Sequence, residues 1–179
     1  MNNIQIIVNN GAGTGSAVAV WKETKEYLQE NGISYNAYLT RYEKHAVKLA
    51  GQICGKIPEG PIYLLVVGGD GTINEVLNGI TDFDRVRLGV IPTGSGNDFA
   101  RNLGILRDTR EDLREITACI DQEQNGGKLQ RIDLGKVSWE GCEKPRIFGI
   151  SAGAGLDAIV CKKALHSKLK KILNRFHLG

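Results

Sequence analysis

One stretch limits the fold more than any other: Leu64-Leu65-Val66-Val67-Gly68-Gly69-Asp70-Gly71-Thr72-Ile73-Asn74-Glu75-Val76. Four apolar residues run into a turn of glycines, an aspartate and a threonine. The apolar residues that follow (Ile73, Val76, Leu77, Ile80) recur at helical spacing. The pattern predicts a buried strand, a tight turn and a helix starting after Thr72. Glycine at 68, 69 and 71 keeps side chains off the backbone and allows positive φ where the turn needs it. The helix aims unpaired N–H groups and the positive end of its dipole at the turn, a geometry that suits a phosphate. Asp70 asks for more, because a carboxylate repels phosphate unless a cation or a proton lies between them. The run therefore reads as a site for a nucleotide with a divalent metal. The plainer alternative is a strand–helix turn with glycine for tightness and Asp70 as a helix cap.

The same alternation recurs along the chain. Ile4 to Val8 is a first strand, followed by a glycine-rich loop from Asn9 to Ser16. Ala17 to Gln29 is a helix with Val18, Trp21, Tyr27 and Leu28 turned inward, closed by Asn31-Gly32. The loop lacks the Gly-Lys-Ser/Thr of a Walker A motif and the third glycine of G-x-G-x-x-G, so by itself it is a weak phosphate signal. Ser34 to Leu39 is a second strand and Glu43 to Cys54 a helix with Ala46, Leu49, Ala50 and Ile53 on one face. His45 has no second ligand at metal spacing and reads as a surface residue. Arg87 to Ile91 is a fourth strand, running into Pro92-Thr93-Gly94-Ser95-Gly96-Asn97-Asp98-Phe99-Ala100-Arg101. Ser95 and Thr93 can bond phosphate oxygens or cap the helix, and Asp98 can hold a metal through water or cap it. Two acid-bearing loops, each after a strand, are hard to explain by capping alone. Asp108 to Asp121 is a further helix with Leu113, Ile116 and Ile120 inward.

Strands alternating with helices give a largely parallel sheet covered on both faces. Ligands of such sheets sit beyond the carboxyl ends of the strands, where all these loops lie. Composition changes at Gln124-Asn125-Gly126-Gly127, so a domain boundary is expected near residue 127, dividing the chain into 1–127 and 128–179. Gln130 to Val137 and Arg146 to Ile150 read as an antiparallel pair around Glu140-Gly141. Ser151 to Gly155 reads either as a third phosphate loop or as a close packing site. Lys162 to Phe176 is a basic amphipathic helix, packed on its own domain or lying on a membrane surface. Two strands do not make a stable domain, so the second unit is expected to be incomplete.

The 179 residues are 41% apolar and 24% charged, with a net charge of +3, so no global field points to nucleic acid. Cys54, Cys119, Cys142 and Cys161 are widely spaced, which suits reduced cytosolic thiols. No stretch approaches the length of a membrane span.

Gly68 to Val76 resembles the G-G-D-G-T-x-N-E-V signature of the diacylglycerol kinase catalytic-domain family, which includes bacterial lipid kinases and sphingosine kinases. Pro92 to Arg101 is similar to that family's P-x-G-T-x-N-D-F-A-R segment, with Ser95 in place of threonine. Asn9 to Gly13 resembles its N-P-x-[SA]-G loop, with Asn10 in place of proline, and Thr40 falls where it has a nucleotide-contacting threonine. Ile132-Asp133-Leu134-Gly135 and Gly153 to Asp157 look like the opening of its second domain. The resemblance implies a Rossmann-like α/β nucleotide-binding domain followed by the beginning of a β-sandwich. It also implies transfer of the ATP γ-phosphoryl group to a lipid hydroxyl with Mg²⁺. On this reading Asn9, Gly11, Gly13, Thr40, Gly68, Gly69, Asp70, Gly71, Thr72, Asn74, Glu75 and Ser95 hold ATP. Asp70 is the essential acid, Asp98 and Asp133 extend its metal network, and Glu75 bonds the loop backbone. The family's general base lies later than Gly179. The implied place is the cytoplasm, at the inner membrane surface when the lipid is engaged, and open strand edges leave room for a homodimer. The alternatives are an NAD kinase-like or sugar-phosphate kinase, or a nucleotide-binding module without catalysis.

Overall fold

The computed structural model describes residues 3–9, 16–105, 108–127, 129–155, 158–159 and 163. The Gly11 to Gly15 part of the first loop, Asp157 and nearly all of the basic segment 162–176 lie outside the described residues.

The elements are β1 (Ile4–Val8), α1 (Ser16–Glu30), β2 (Tyr35–Leu39), α2 (His45–Lys56), β3 (Ile62–Gly68), α3 (Asp70–Leu77), β4 (Val86–Pro92), α4 (Asp98–Asn102), α5 (Thr109–Gln124), β5 (Gly135–Val137) and β6 (Arg146–Phe148). The first four strands form one parallel sheet in the order β2-β1-β3-β4. Strand alternation divides the core into two layers. Ile7, Leu64, Val66 and Val90 face α2 and α3, packing with Ala46, Leu49, Ile53, Ile73 and Leu77. Ile4, Ile6, Val8, Leu65, Val67 and Ile91 face the other way, against Trp21, Leu28 and Leu113 of α1 and α5. Burial on both faces explains why β3 reads as a continuous apolar run and why β1 is apolar at every position but Gln5, which is itself buried.

The strands and helices expected over residues 4–121 are present, with instructive shifts. α3 starts at Asp70, three residues earlier than expected, so Gly71 and Thr72 belong to its first turn. Gly68, Gly69 and Gly71 do not adopt positive φ. Their lack of side chain matters for space instead. A Cβ on Gly68 would come within 2.8 Å of the Thr72 Cβ, and one on Gly69 within 3.1 Å of the Gly94 Cα. Val18 points outward at 55% exposure, while Ala17 and Thr24 fill the inner face of α1. Residues 130–134 are not strand, and β6 ends at Phe148.

β5 and β6 form the expected antiparallel pair, with Gly135 opposite Phe148. This pair is fastened to α3. The Asn78 side chain accepts a hydrogen bond from the Ile147 N–H (3.0 Å) and donates one to the Ile147 carbonyl (2.8 Å). Its amide thus substitutes for the neighbouring strand that β6 lacks on that edge. Asn78→Leu removes both bonds at similar volume. We expect the Ile147 amide to lose hydrogen-exchange protection by about tenfold, with the α1–α5 layer unchanged. Unaltered protection at Ile147 would show that the pair is held by other contacts.

α1 and α5 are joined at their exposed ends by Arg110, which donates to both Glu30 oxygens (2.8 and 3.2 Å). The hydrogen bonds from Arg110 hold the Glu30 carboxyl below its ordinary range. That small stabilisation is present at neutral pH and is lost as the carboxylate protonates in acid.

Candidate functional site

The chain leaves β1 toward one face of the sheet through α1 and leaves the adjacent β3 toward the opposite face through α3. Neighbouring strands whose connections part in this way open a crevice at their carboxyl ends, the switch point where ligands of such sheets bind. Asn9 lies at that end of β1, Thr40 at that of β2, Gly68 at that of β3 and Thr93 at that of β4. Backbone bonds extend the ladder across all four: Thr40 N–H to the Val8 carbonyl, Asn9 N–H to Val67 and Thr93 N–H to Gly68.

A second chain of bonds runs through side chains. The Thr40 hydroxyl donates to Asn9 Oδ1 (3.2 Å), and Asn9 Nδ2 donates to the Thr72 hydroxyl oxygen (2.8 Å). Three sequence-predicted residues from three strands' ends are thus brought together. Thr72, accepting from Asn9, keeps its own hydroxyl proton for another acceptor.

Gly71 differs from its neighbours. It is exposed, and a Cβ built on it would meet nothing within 4 Å. Neither packing nor φ requires glycine there. Among the described residues nothing fills the space beside Gly71; the Thr72 and Ile73 N–H groups bond the Gly69 carbonyl, and helix geometry leaves the Asp70 and Gly71 N–H groups without an intrahelical partner.

Asp70 does not cap its own helix. The N-cap of α3 is Gly69, with no side-chain capping bond. Instead Asp70 reaches across to α4, where Oδ2 accepts from the Asp98 N–H and Oδ1 from the Phe99 N–H, both at 3.0 Å. It therefore serves as the capping carboxylate of a helix that begins 28 residues later. Asn97, the N-cap of α4, takes the left-handed conformation (φ 51°) and clasps Gly94 through both ends of its amide. Asp98 pairs with Arg101 at 3.0 Å on the surface. Ser95 is exposed on the turn between them.

Glu75 is placed differently from expectation. Its carboxylate accepts from the N–H groups of Lys44 (2.9 Å) and Ala46 (3.2 Å), so it holds the start of α2 and not the glycine turn. Lys44 is itself left-handed (φ 65°). Asn74 donates to the Ile147 carbonyl at 3.4 Å, on the side of α3 that faces β6. Sequence reasoning missed this fastening. Its only signal was the Asn74–Asn78 spacing of one helical turn.

The two acids nearest the turn do converge. A Cβ on Gly96 would lie 3.3 Å from Asp70 Oδ2 and 3.8 Å from Asp98 Oδ2. Asp133 does not join them: it is exposed before β5, and among the described residues no three His, Cys, Asp or Glu side chains form a metal-holding group. The expected three-acid network is therefore reduced to a pair. Beside that pair lies a cavity of about 340 Å³, walled by Ile73, Leu77 and Phe99 on one side and Phe148 to Ser151 on the other, with Asp70 and Asp98 at its rim. Gly149 packs so closely on Phe99 that a Cβ would come within 2.6 Å of its ring, whereas Ser151 to Gly155 beyond it is exposed and a Cβ on Gly155 would meet nothing within 4 Å.

A parallel sheet carrying a Gly-Gly-Asp-Gly-Thr turn at its switch point defines a Rossmann-like α/β domain. Residues 3–137 match the family model described as the diacylglycerol kinase catalytic domain, and the chain belongs to that family. It is 36% identical over 136 residues to a diacylglycerol kinase of Bacillus subtilis, covering 73% of this chain and 40% of that protein. It is 31% identical over 174 residues to a diacylglycerol kinase of Staphylococcus carnosus, covering 96% of this chain and 51% of that protein. A crystal structure of a diacylglycerol kinase from Bacillus anthracis superposes with a TM-score of 0.54 at 27% identity, over 65% of this chain and 39% of that one. The chain spans about half the length of the curated relatives it matches. Among the described residues no helix is long and apolar enough to cross a membrane.

Proposed function

We propose that this chain carries the ATP-binding part of a lipid kinase, which transfers the γ-phosphoryl group of ATP to a lipid hydroxyl with Mg²⁺. The observation that carries this reading is Gly71: a first-turn glycine that the protein's own packing does not need, above open N–H donors at the switch point. A phosphate chain fills that space, and the Thr72 hydroxyl and backbone N–H groups donate to it. Phosphoryl transfer asks little of a protein beyond positioning and charge stabilisation, and this rim offers both.

The donor set fits Mg²⁺, which usually takes one or two carboxylates and completes its shell with phosphate oxygens and water. Asp70 and Asp98 are the two carboxylates. Each Asp70 oxygen accepts one backbone N–H and retains a second lone pair. The metal, when bound, neutralises charge on the phosphates. The cavity beside Asp70, with Ile73, Leu77, Phe99 and Phe148 in its lining, is the space we assign to the lipid acceptor. A lipid substrate brings the protein to the inner membrane surface from the cytoplasm.

Gly71→Val provides the test. It adds bulk only to open space and replaces glycine within a helix, so thermal stability is expected to hold or rise. Mg-ATP affinity, measured by calorimetry, is expected to fall at least about tenfold, because the side chain occupies the phosphate's place. Unchanged affinity in the folded variant would remove the observation on which the reading rests.

A further inference from the structure

The hydroxyl of Thr93 is unexplained by the fold. Thr93 is 8% exposed, and its Oγ1 is buried without a hydrogen-bond partner among the described residues. Buried hydroxyls are almost always bonded, because leaving one unpaired forfeits its hydration for nothing. The residue does not cap α4, since that position belongs to Asn97. It is not needed to end β4 either: its backbone N–H already makes the last ladder bond, to Gly68. Valine has the same shape and would fill the site without the orphaned oxygen.

Its position gives the orphan a partner. Thr93 stands one ladder step from the Gly68-Gly69 turn, and the next residue, Gly94, lies against Gly69 backbone to backbone. By strand alternation Thr93 follows Ile91 toward the layer that holds α1. It thus lies on the opposite side of the turn from Thr72, whose helix belongs to the other layer. Two threonine hydroxyls then flank one glycine turn, Thr72 held by Asn9 and Thr93 held by nothing.

We propose that Thr93 is a phosphate-binding residue of this site, its hydroxyl donating to the phosphate chain of the nucleotide from the α1 side while Thr72 donates from the α3 side. The inference rests on the nucleotide reading above and adds to it a specific donor.

Thr93→Val separates the possibilities. In the unliganded protein it replaces an unpaired buried hydroxyl by a methyl, and Tm is expected to rise by about 2–4 °C. Mg-ATP affinity is expected to fall about tenfold by calorimetry, inorganic tripolyphosphate affinity by the same factor, and Thr93→Ser is expected to retain both. A Thr93→Val protein that binds Mg-ATP as tightly as wild type overturns the inference while leaving the nucleotide reading standing. A fall in unliganded Tm also overturns it, because the hydroxyl would then be serving the fold. Wild-type protein that binds neither Mg-ATP nor tripolyphosphate overturns both readings together.

Discussion

Asp70→Asn is expected to lower phosphoryl transfer at least about 100-fold, the range seen when a group that stabilises transition-state charge is removed. The reason lies in what the carboxylate touches. Each oxygen accepts one N–H from the first turn of α4. An amide offers one acceptor oxygen and turns an NH₂ toward the second donor, so one bond is replaced by a clash of donors. On the proposed reading, the variant also withdraws the negative charge that would face the phosphates' counter-ion. Two measurements separate these effects. Transfer of labelled γ-phosphate to diacylglycerol in mixed micelles reports the chemical loss. Calorimetric titration with ATP, with and without Mg²⁺, reports the metal: wild type is expected to bind ATP more tightly with Mg²⁺, and the variant to lose that difference. A variant that keeps both the transfer rate and the Mg²⁺ dependence would reduce Asp70 to a helix cap.

Gly79→Ala is expected to destabilise the protein by about 3 kcal/mol, near the upper end of overpacking costs, and to lower Tm by about 6–12 °C. A Cβ there would lie 2.2 Å from the Val47 carbonyl oxygen and 2.9 Å from the Ala50 Cβ. The first of these is helix backbone and cannot swing aside, so α2 and the end of α3 must separate. That separation opens the layer containing Leu49, Ile53, Ile73 and Leu77. Gly55→Ala is the control: it lies in α2 with nothing within 4 Å and is expected to raise stability slightly. Thermal unfolding followed by circular dichroism measures both. Equal Tm values for the two variants would mean that the α2–α3 contact is looser than the structure shows.

The parts of this structure that the sequence announced are those where one local pattern has one physical outcome. β3 is buried on both faces, so nothing interrupts its apolar run, and the switch from strand to helix at Gly68-Gly69 is unmistakable. Where a polar residue does an apolar residue's work, the pattern misleads. Thr24 is fully buried because its hydroxyl bonds the Val20 carbonyl of its own helix. Thr24 thus takes a place on the inner face of α1, and Val18, expected inward, points out. The site divides in the same way. The Thr40, Asn9 and Thr72 side chains were each recognisable, but their linkage depends on strand order, which no local pattern encodes. Asp70 was legible as a candidate acid and illegible as the cap of α4, since its partners are backbone N–H groups distant in sequence. Asp133 drew its metal role from likeness alone, and the structure leaves it apart from Asp70 and Asp98.

The order β2-β1-β3-β4 also bears on how the chain is made. Of these four strands β1 leaves the ribosome before the others, yet it lies in the interior of the sheet. β2 closes one of its edges after a short crossover, but the other stays bare until β3, residues 62–68, has been synthesised. During that interval an apolar strand offers unpaired N–H and C=O groups to any passing chain. The reversal that opens the crevice for a ligand is therefore the same step that leaves the nascent chain most exposed to mispairing.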